Sequence, residues 1–385
     1  MTVEAGVWFC VGLVAYIYVG YPILAALIAQ VVDRHVFKAA VNPSVTVVIS
    51  AFNEERDIEH TIRNKLEQNY PPELLSVVVV SDESTDRTDE IVESISSFSP
   101  NRVTLLRQKP RQGKTQALNL AISQCTSEIV VFSDANSLYE PSAVRAIVRN
   151  FADPTVGYVT GRMVYTNPTK SGFGEGAGTY MGYENILRSI ETRLGSVVGA
   201  DGGIDAVRRE LYRPMRADQL PDFVLPLSIV EQGRRVVYES EAMLYEPSLA
   251  RASDEFRMRV RVSLRALWAI HDKRCLLNPL RYPIYSWQLF SHKVLRYAAF
   301  VPLGGLFVLT GIAANLHPYF RWLFVAELIG LTMAGLGHLL KESPGVSSKL
   351  LVPYYFLVLN VACLFAFWKY LRGEKMALWK PRTGA

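Results

Sequence analysis

An aspartate and an asparagine stand one residue apart where an apolar run stops, in Ile129-Val-Val-Phe-Ser-Asp134-Ala-Asn136. A carboxylate and an amide oxygen at the carboxyl end of a strand can share one hard cation, and such a cation commonly holds a diphosphate. Two other apolar runs end in polar residues, Ala51-Phe-Asn53-Glu54 and Ser81-Asp82-Glu-Ser-Thr-Asp86. In an open parallel sheet, ligands gather beyond the carboxyl ends of the strands, so all three ends point to one cleft. Asp82 is suited to accept hydrogen bonds from a base or ribose, and Gly113-Lys114 ahead of a helical run offers a turn and a cation for phosphate. Asp86, just before Arg-Thr-Asp-Glu, reads as a helix cap and not as a ligand.

These residues are carried by alternating elements. Strand patterns cover 45–50, 76–81, 105–108 and 129–133, and helical spacing covers 58–68, 86–95 and 114–124. Strands apolar on both faces and separated by helices imply a Rossmann-like, mostly parallel α/β sheet covered on two sides. Beyond Asn136 the pattern loosens, with further strands expected at 156–160 and 236–238 and a loop at the glycine cluster 172–178. This α/β domain is expected over residues 43–255.

The flanks differ in kind. Residues 7–32 carry no charge, more than the roughly 20 residues a helix needs to cross hydrocarbon. With no basic start and no small-residue cleavage site, 1–35 reads as an uncleaved transmembrane helix. Three later spans are expected at 297–316, 320–340 and 351–370, within 297–371, followed by a basic tail at 372–385. Half of the 385 residues are hydrophobic and mean hydropathy is +0.14, which fits a water-soluble block joined to a membrane block. Net charge is +5, and the basic excess gathers between Arg257 and Arg296 among Leu264, Trp268, Tyr282, Tyr285 and Trp287. Residues 256–296 therefore read as interfacial helices at the lipid headgroups, and no nucleic-acid motif is present. Cys10, Cys125, Cys275 and Cys363 stand singly, which excludes a zinc site or a disulfide frame and suits a reducing face.

The ordered set Ala-Phe-Asn-Glu, Ser-Asp-Glu-Ser-Thr-Asp, Gly-Lys-Thr-Gln-Ala-Leu-Asn and Phe-Ser-Asp-Ala-Asn resembles the family 2 inverting glycosyltransferases of GT-A fold. The likeness is to their membrane-integral branch, the hyaluronan, chitin-oligosaccharide, poly-N-acetylglucosamine and cellulose synthases. The resemblance covers about residues 44 to 265. It implies a nucleotide-sugar donor, UDP-linked above all, bound by Asn53, Glu54 and Asp82, with Lys114 on the phosphates and Mg²⁺ or Mn²⁺ on Asp134 and Asn136. By the same likeness Asp222, in Leu220-Pro-Asp222-Phe, is the general base that an inverting transfer needs. Gly199-Ala-Asp201-Gly202-Gly203 would floor the sugars, with Glu184, Asp201 and Gly202 toward the acceptor; ordinary hydrogen-bonded roles suit Glu184 and Asp201 equally.

Two departures stand out. Asn136 replaces the family's usual aspartate, which removes one negative charge from the metal site. The Gln-x-x-Arg-Trp element of processive synthases is absent, and Arg257-Met-Arg259-Val-Arg261-Val-Ser-Leu-Arg265 stands in its place. Arg259 and Arg261 would clamp the diphosphate, and Trp268 is the nearest aromatic substitute. The expected protein is an integral membrane enzyme of the plasma or inner membrane that moves a sugar to a membrane-proximal saccharide or lipid-linked acceptor. A processive, polymer-secreting synthase and an inactive nucleotide-binding scaffold are the alternatives. A cytoplasmic catalytic domain with three later spans puts the C-terminus outside, whereas Lys369, Arg372, Lys375, Lys380 and Arg382 favour the inside. A re-entrant or unrecognised span, or a domain large enough to override the charge rule, would reconcile the two.

Overall fold

The computed structural model describes residues 2–166, 172–246, 252–341 and 348–376; Lys380 and Arg382 lie outside them. Two compact units emerge. One is an α/β unit of Val32–Thr166, Asn185–Pro247 and Lys375–Ala385; the other, helical, comprises Met1–Val31, Asn167–Glu184 and Ser248–Glu374.

The α/β unit is built on an eight-stranded sheet: β1 Val45–Ala51, β2 Leu75–Ser81, β3 Val103–Arg107, β4 Ile129–Asp134, β5 Leu138–Tyr139, β6 Val156–Tyr165, β7 Ile204–Arg208 and β8 Arg235–Glu246, in the order β3-β2-β1-β4-β7-β6-β8-β5. Val-Thr-Val-Val-Ile in β1 is β-branched throughout and buried on both faces, which suits a central parallel strand. β1 pairs in parallel with β2 and β4, and the register sets Ala51 opposite Ser81 and Ser50 opposite Asp134. The chain therefore leaves all three strands on one edge, as the sequence requires of a shared cleft. Helices Ile58–Leu66 and Thr88–Phe98 lay Ile58, Ile62, Val92 and Ile95 on a core with Val47, Val77, Val79 and Val131. Each such aliphatic side chain contributes roughly 1.5–3 kcal/mol by burial.

The sheet is mixed, not mostly parallel, beyond β4. β7 runs antiparallel to β4 and β6, and β5 antiparallel to β8, while β6 and β8 are parallel. Because Ser133 faces Ile204 across the β4–β7 ladder, the residues just before β7 lie beside the end of β4. The glycine cluster expected to form a loop lies instead in the helix Gly172–Leu194. Helix propensity is a weak prior, and the glycines do not stop the helix here.

In the helical unit, Val3–Val32, Pro318–Leu340 and Leu351–Leu371 are each long and apolar enough to cross a bilayer. The span expected at 297–316 is different: Phe300–Ala313 reaches membrane length only with Pro283–Tyr297, from which it is bent by 55°. The first span is interrupted by a π-helical turn, Tyr16–Gly20, and a second such turn occupies Phe290–Val294. They meet, since the Tyr16 hydroxyl is 2.8 Å from Ser291 Oγ and accepts from Trp287 Nε1 at 2.9 Å. Toward the other end of these helices Glu4 pairs with His317 at 3.0 Å. The basic stretch forms the amphipathic helix Ala252–Asp272, which packs on Ser348–Leu371; Arg259 donates to the Tyr355 hydroxyl at 2.8 Å, and the Trp268 ring lies 4.7 Å from that of Tyr370.

Candidate active site

The edge of the α/β unit is organised first by Asp82. Buried at the end of β2, its carboxylate accepts from Gln108 Nε2, from the Gln112 amide at 2.9 Å and from the Gly113 amide at 3.0 Å, with Arg111 Nε at 3.4 Å. These bonds fix loop 108–113, and Gly113 at φ +88° makes the turn into helix Lys114–Gln124. The expected nucleotide contact therefore also anchors the loop that presents Lys114. The Arg111 guanidinium lies 3.5 Å above the Phe52 ring.

Lys114 is the centre of the constellation. Its ammonium is 2.6 Å from Asp134 Oδ1 at the end of β4 and 3.9 Å from Asp222 Oδ1 in the first turn of helix Pro221–Glu231. Burial works against the charge of Lys114, but Asp134, Asp222 and Asp205 outweigh it and hold the ammonium's pKa above the ordinary value. Gly202, with φ +90°, passes directly beneath Asp222: a Cβ there would come within 2.5 Å of the carboxylate. Gly203 is as tight, since its Cβ would meet Leu244 at 2.6 Å. Tyr139 ties this floor to the sheet by donating to the carbonyls of Phe132 at 3.0 Å and Gly203 at 3.3 Å.

Sequence reasoning missed three residues here. Asp205, on β7, is 1 % exposed, and one of its oxygens finds no hydrogen-bond partner among the described residues. Burial first, and then the charge of Asp222, push it up to about 7. Thr61 and Lys65 brace the turn after β4 from behind: Thr61 Oγ1 donates to the Ala135 carbonyl at 2.6 Å, and buried Lys65 donates to the Ser137 carbonyl while its ammonium lies 3.5 Å above the Tyr139 ring. The available signal was a lysine at a core position of the face Ile58, Thr61, Ile62, Lys65.

A divalent cation fits Asp134 and Asn136 only in part. Among the described residues no group of three or more His, Cys, Asp or Glu is arranged to hold a metal ion. One carboxylate with a half-buried amide beside it suits Mg²⁺ or Mn²⁺ that completes its shell with water and diphosphate oxygens, as such ions commonly do.

The other expected residues divide between the units. Asn53, at φ 57°, accepts from the Thr85 amide at 2.8 Å, and the Glu54 amide donates to Thr88 Oγ1 at 2.9 Å, so both join the end of β1 to the turn after β2. Asp86, one residue ahead of the N-cap Arg87 of helix Thr88–Phe98, accepts from the Thr88 amide at 3.0 Å. Asp201 belongs to the floor, but its carboxylate is engaged by Arg188 at 2.5 Å, which makes it an anchor of that loop. Glu184 counts with the helical unit, fully buried; against the cost of burial, Arg296, Lys293 and His292 hold its pKa well below the usual carboxylate range. Arg259 and Arg261 also belong to the helical unit, on helix Ala252–Asp272.

Residues 46–213, which contain every strand end just described, match the Glycosyl transferase family 2 model. Over that stretch the chain is similar to family 2 glycosyl transferases. "Probable glycosyltransferase YdaM" of Bacillus subtilis is 31% identical over 132 residues, 34% of this chain and 31% of that protein. The "Beta-monoglucosyldiacylglycerol synthase" of Synechocystis is 27% identical over 169 residues, 44% and 35% of the two chains. The "Poly-beta-1,6-N-acetyl-D-glucosamine synthase" of Staphylococcus aureus is 30% identical over 118 residues, 30% and 28%. The chain thus spans about a third of the length of the curated relatives it matches. Among solved structures, "Mannosyltransferase PcManGT from Pyrobaculum calidifontis in complex with GDP-Man and Mn2+" shares the fold, with TM-score 0.73 and 24% identity over 97% of this chain and 100% of that one.

Proposed function

We propose that the protein is a membrane-integral, metal-dependent inverting glycosyltransferase. It moves a hexosyl or N-acetylhexosaminyl group from a nucleoside-diphosphate sugar, UDP-linked in the first instance, to a membrane-proximal saccharide or lipid-linked acceptor in polysaccharide or glycolipid synthesis. The observation that carries the reading is one ammonium shared by two carboxylates, Asp134 at a strand end and Asp222 at a helix start. In this reading the first serves the donor's phosphates and the second the acceptor.

Asp222 takes the proton of the acceptor hydroxyl as that oxygen attacks the anomeric carbon from the side opposite the leaving diphosphate. Its carboxylate lies against the backbone of Gly202, where a side chain would displace it. Lys114 supplies positive charge to the departing phosphates, and Asn53, Glu54 and Asp82 border the nucleotide. Asp134 and Asn136 would hold Mg²⁺ or Mn²⁺, which when bound neutralises diphosphate charge. The arginine-rich replacement of Gln-x-x-Arg-Trp favours one or a few transfers over processive synthesis, a difference that product length from purified enzyme reports.

Nucleotide release is the direct test. With Mn²⁺, a membrane acceptor and a panel of UDP- and GDP-sugars, the wild type should turn over one donor, and Asp222→Asn should lose about 10²–10⁴-fold in kcat. Turnover that survives the substitution removes Asp222 as the base. The second reading, an inactive scaffold favoured by Asn136, expects nucleotide to raise the melting temperature with no release from any donor.

A further inference from the structure

Lys114 is placed where it obstructs the site it serves. At 2.6 Å its ammonium occupies Asp134 Oδ1, an oxygen that a divalent ion would need, and it leans on Asp222 at 3.9 Å. An ammonium and a metal ion cannot use the same carboxylate lone pair, and two cations crowded on one carboxylate repel each other. The backbone beneath Lys114 is not free to withdraw, because Asp82 pins loop 108–113 through the Gln112 and Gly113 amides at 2.9 and 3.0 Å. The side chain can turn where the backbone cannot, since a lysine carries its charge on a flexible four-carbon stem with three rotatable donors. Asp222 at 3.9 Å is the nearest alternative partner within the protein, and an incoming diphosphate competes with both carboxylates because it offers several oxygens of higher charge.

We propose that Lys114 is a built-in counter-ion that keeps Asp134 closed to divalent metal until a nucleoside diphosphate draws the ammonium away, so that metal and donor are taken up together. The inference rests on the reading of Asp134 as a metal ligand given above. It makes the empty enzyme a poor metal binder and couples metal affinity to nucleotide. The lysine then leaves the carboxylate for the phosphates.

The test reads metal binding without turnover. Full-length protein in detergent is titrated with Mn²⁺, free ion being followed by electron paramagnetic resonance, with and without UDP. The wild type should bind Mn²⁺ about tenfold more weakly without UDP than with it, a typical size for coupled sites. Lys114→Gln without nucleotide should bind about tenfold more tightly than wild type without nucleotide, whereas Lys114→Arg, which keeps the charge, should stay weak. Two results overturn the proposal: wild-type affinity that is the same with and without UDP, which needs no variant to fold, or a Lys114→Gln protein with a wild-type melting temperature that binds no tighter. Mn²⁺ binding with UDP that survives Asp134→Asn instead overturns the metal assignment itself and takes the counter-ion role with it.

Discussion

Asp205 and Gly202 illustrate how single residues shape this site from beneath. Asp205 is enclosed by the sheet with Asp222 and Asp201 as its acidic neighbours, and it titrates at about 7, far above the ordinary carboxylate range. The native state therefore keeps a proton that the unfolded chain has already released. The stability this group contributes is complete below about pH 4 and is lost as pH rises to about 7. Asp205→Asn mimics the protonated form and removes that slope. Its melting temperature should exceed the wild type's at alkaline pH by an amount equivalent to a few kcal/mol, on the order of 1.4 kcal/mol for each tenfold change in proton affinity, and should converge with it near pH 4. Parallel melting curves across that range would show that Asp205 is not proton-bearing. At Gly202 the constraint is steric, because a methyl group would meet the Asp222 carboxylate at 2.5 Å. Gly202→Ala should lower kcat by about 10²-fold, the typical effect of misplacing a reacting group by an ångström, with little change in nucleotide affinity measured by calorimetry.

At the level of elements, the turn after β4 depends on a helix that never touches solvent on its inner side. Lys65→Met keeps an unbranched side chain one atom shorter and relieves the desolvation that drives this lysine's pKa well below the usual value, but it leaves the Ser137 carbonyl without its donor. The protein should stay folded while its UDP-dependent Mn²⁺ affinity falls by about tenfold, as losses behind a metal site commonly do; unchanged affinity would show that the brace is dispensable. Such supports were hidden in the sequence because a lysine on a helix reads as solvated until its contacts are known. The same contrast separates the strands. β1, β2 and β4 were legible because burial on both faces demands an unbroken apolar run, and the polar residues that end those runs marked the cleft. β7, Ile-Asp-Ala-Val-Arg, carries a buried carboxylate and an arginine, so it offers neither continuity nor alternation, and β5 has two residues. The antiparallel turn of the sheet beyond β4, and Asp205 with it, followed from that gap.

For the whole molecule, the helical unit exposes Trp8, Phe9, Leu27, Val308, Trp322, Ile329 and Leu339, a dispersed apolar surface that suits lipid contact. Within it the bent pair runs beside the first span for most of its length: Tyr21 meets Trp287 at 5.1 Å, a Cβ on Gly305 would lie 3.4 Å from Cys10, and Glu4 pairs with His317. Aligned with the first span at both ends, the pair is long and apolar enough to cross a bilayer beside it. In a Cys275→Ser background, an impermeant maleimide should label His317→Cys from the face opposite to Asn101→Cys, a position in the α/β unit. Labelling of both from one face would make the bent pair re-entrant. The charged C-terminal residues that favoured the inside are partly neutralised locally, with Lys369 paired to Glu374 and the Arg372 guanidinium 3.5 Å above Trp368, which weakens them as topological signals.

The facing π-helical turns set a limit on how these two helices can be edited. Each turn carries a residue beyond the α-helical repeat, and the Tyr16, Ser291 and Trp287 bonds depend on both surplus residues being present. Deleting one residue from Tyr16–Gly20 would restore a regular helix whose flanks keep nearly their present facing, because a π turn absorbs its surplus residue as local widening, but it would remove the widened turn from which the Tyr16 hydroxyl reaches Ser291 and Trp287. A straight helix in place of this one should therefore lose the Tyr16 bonds even where length and hydrophobicity are matched.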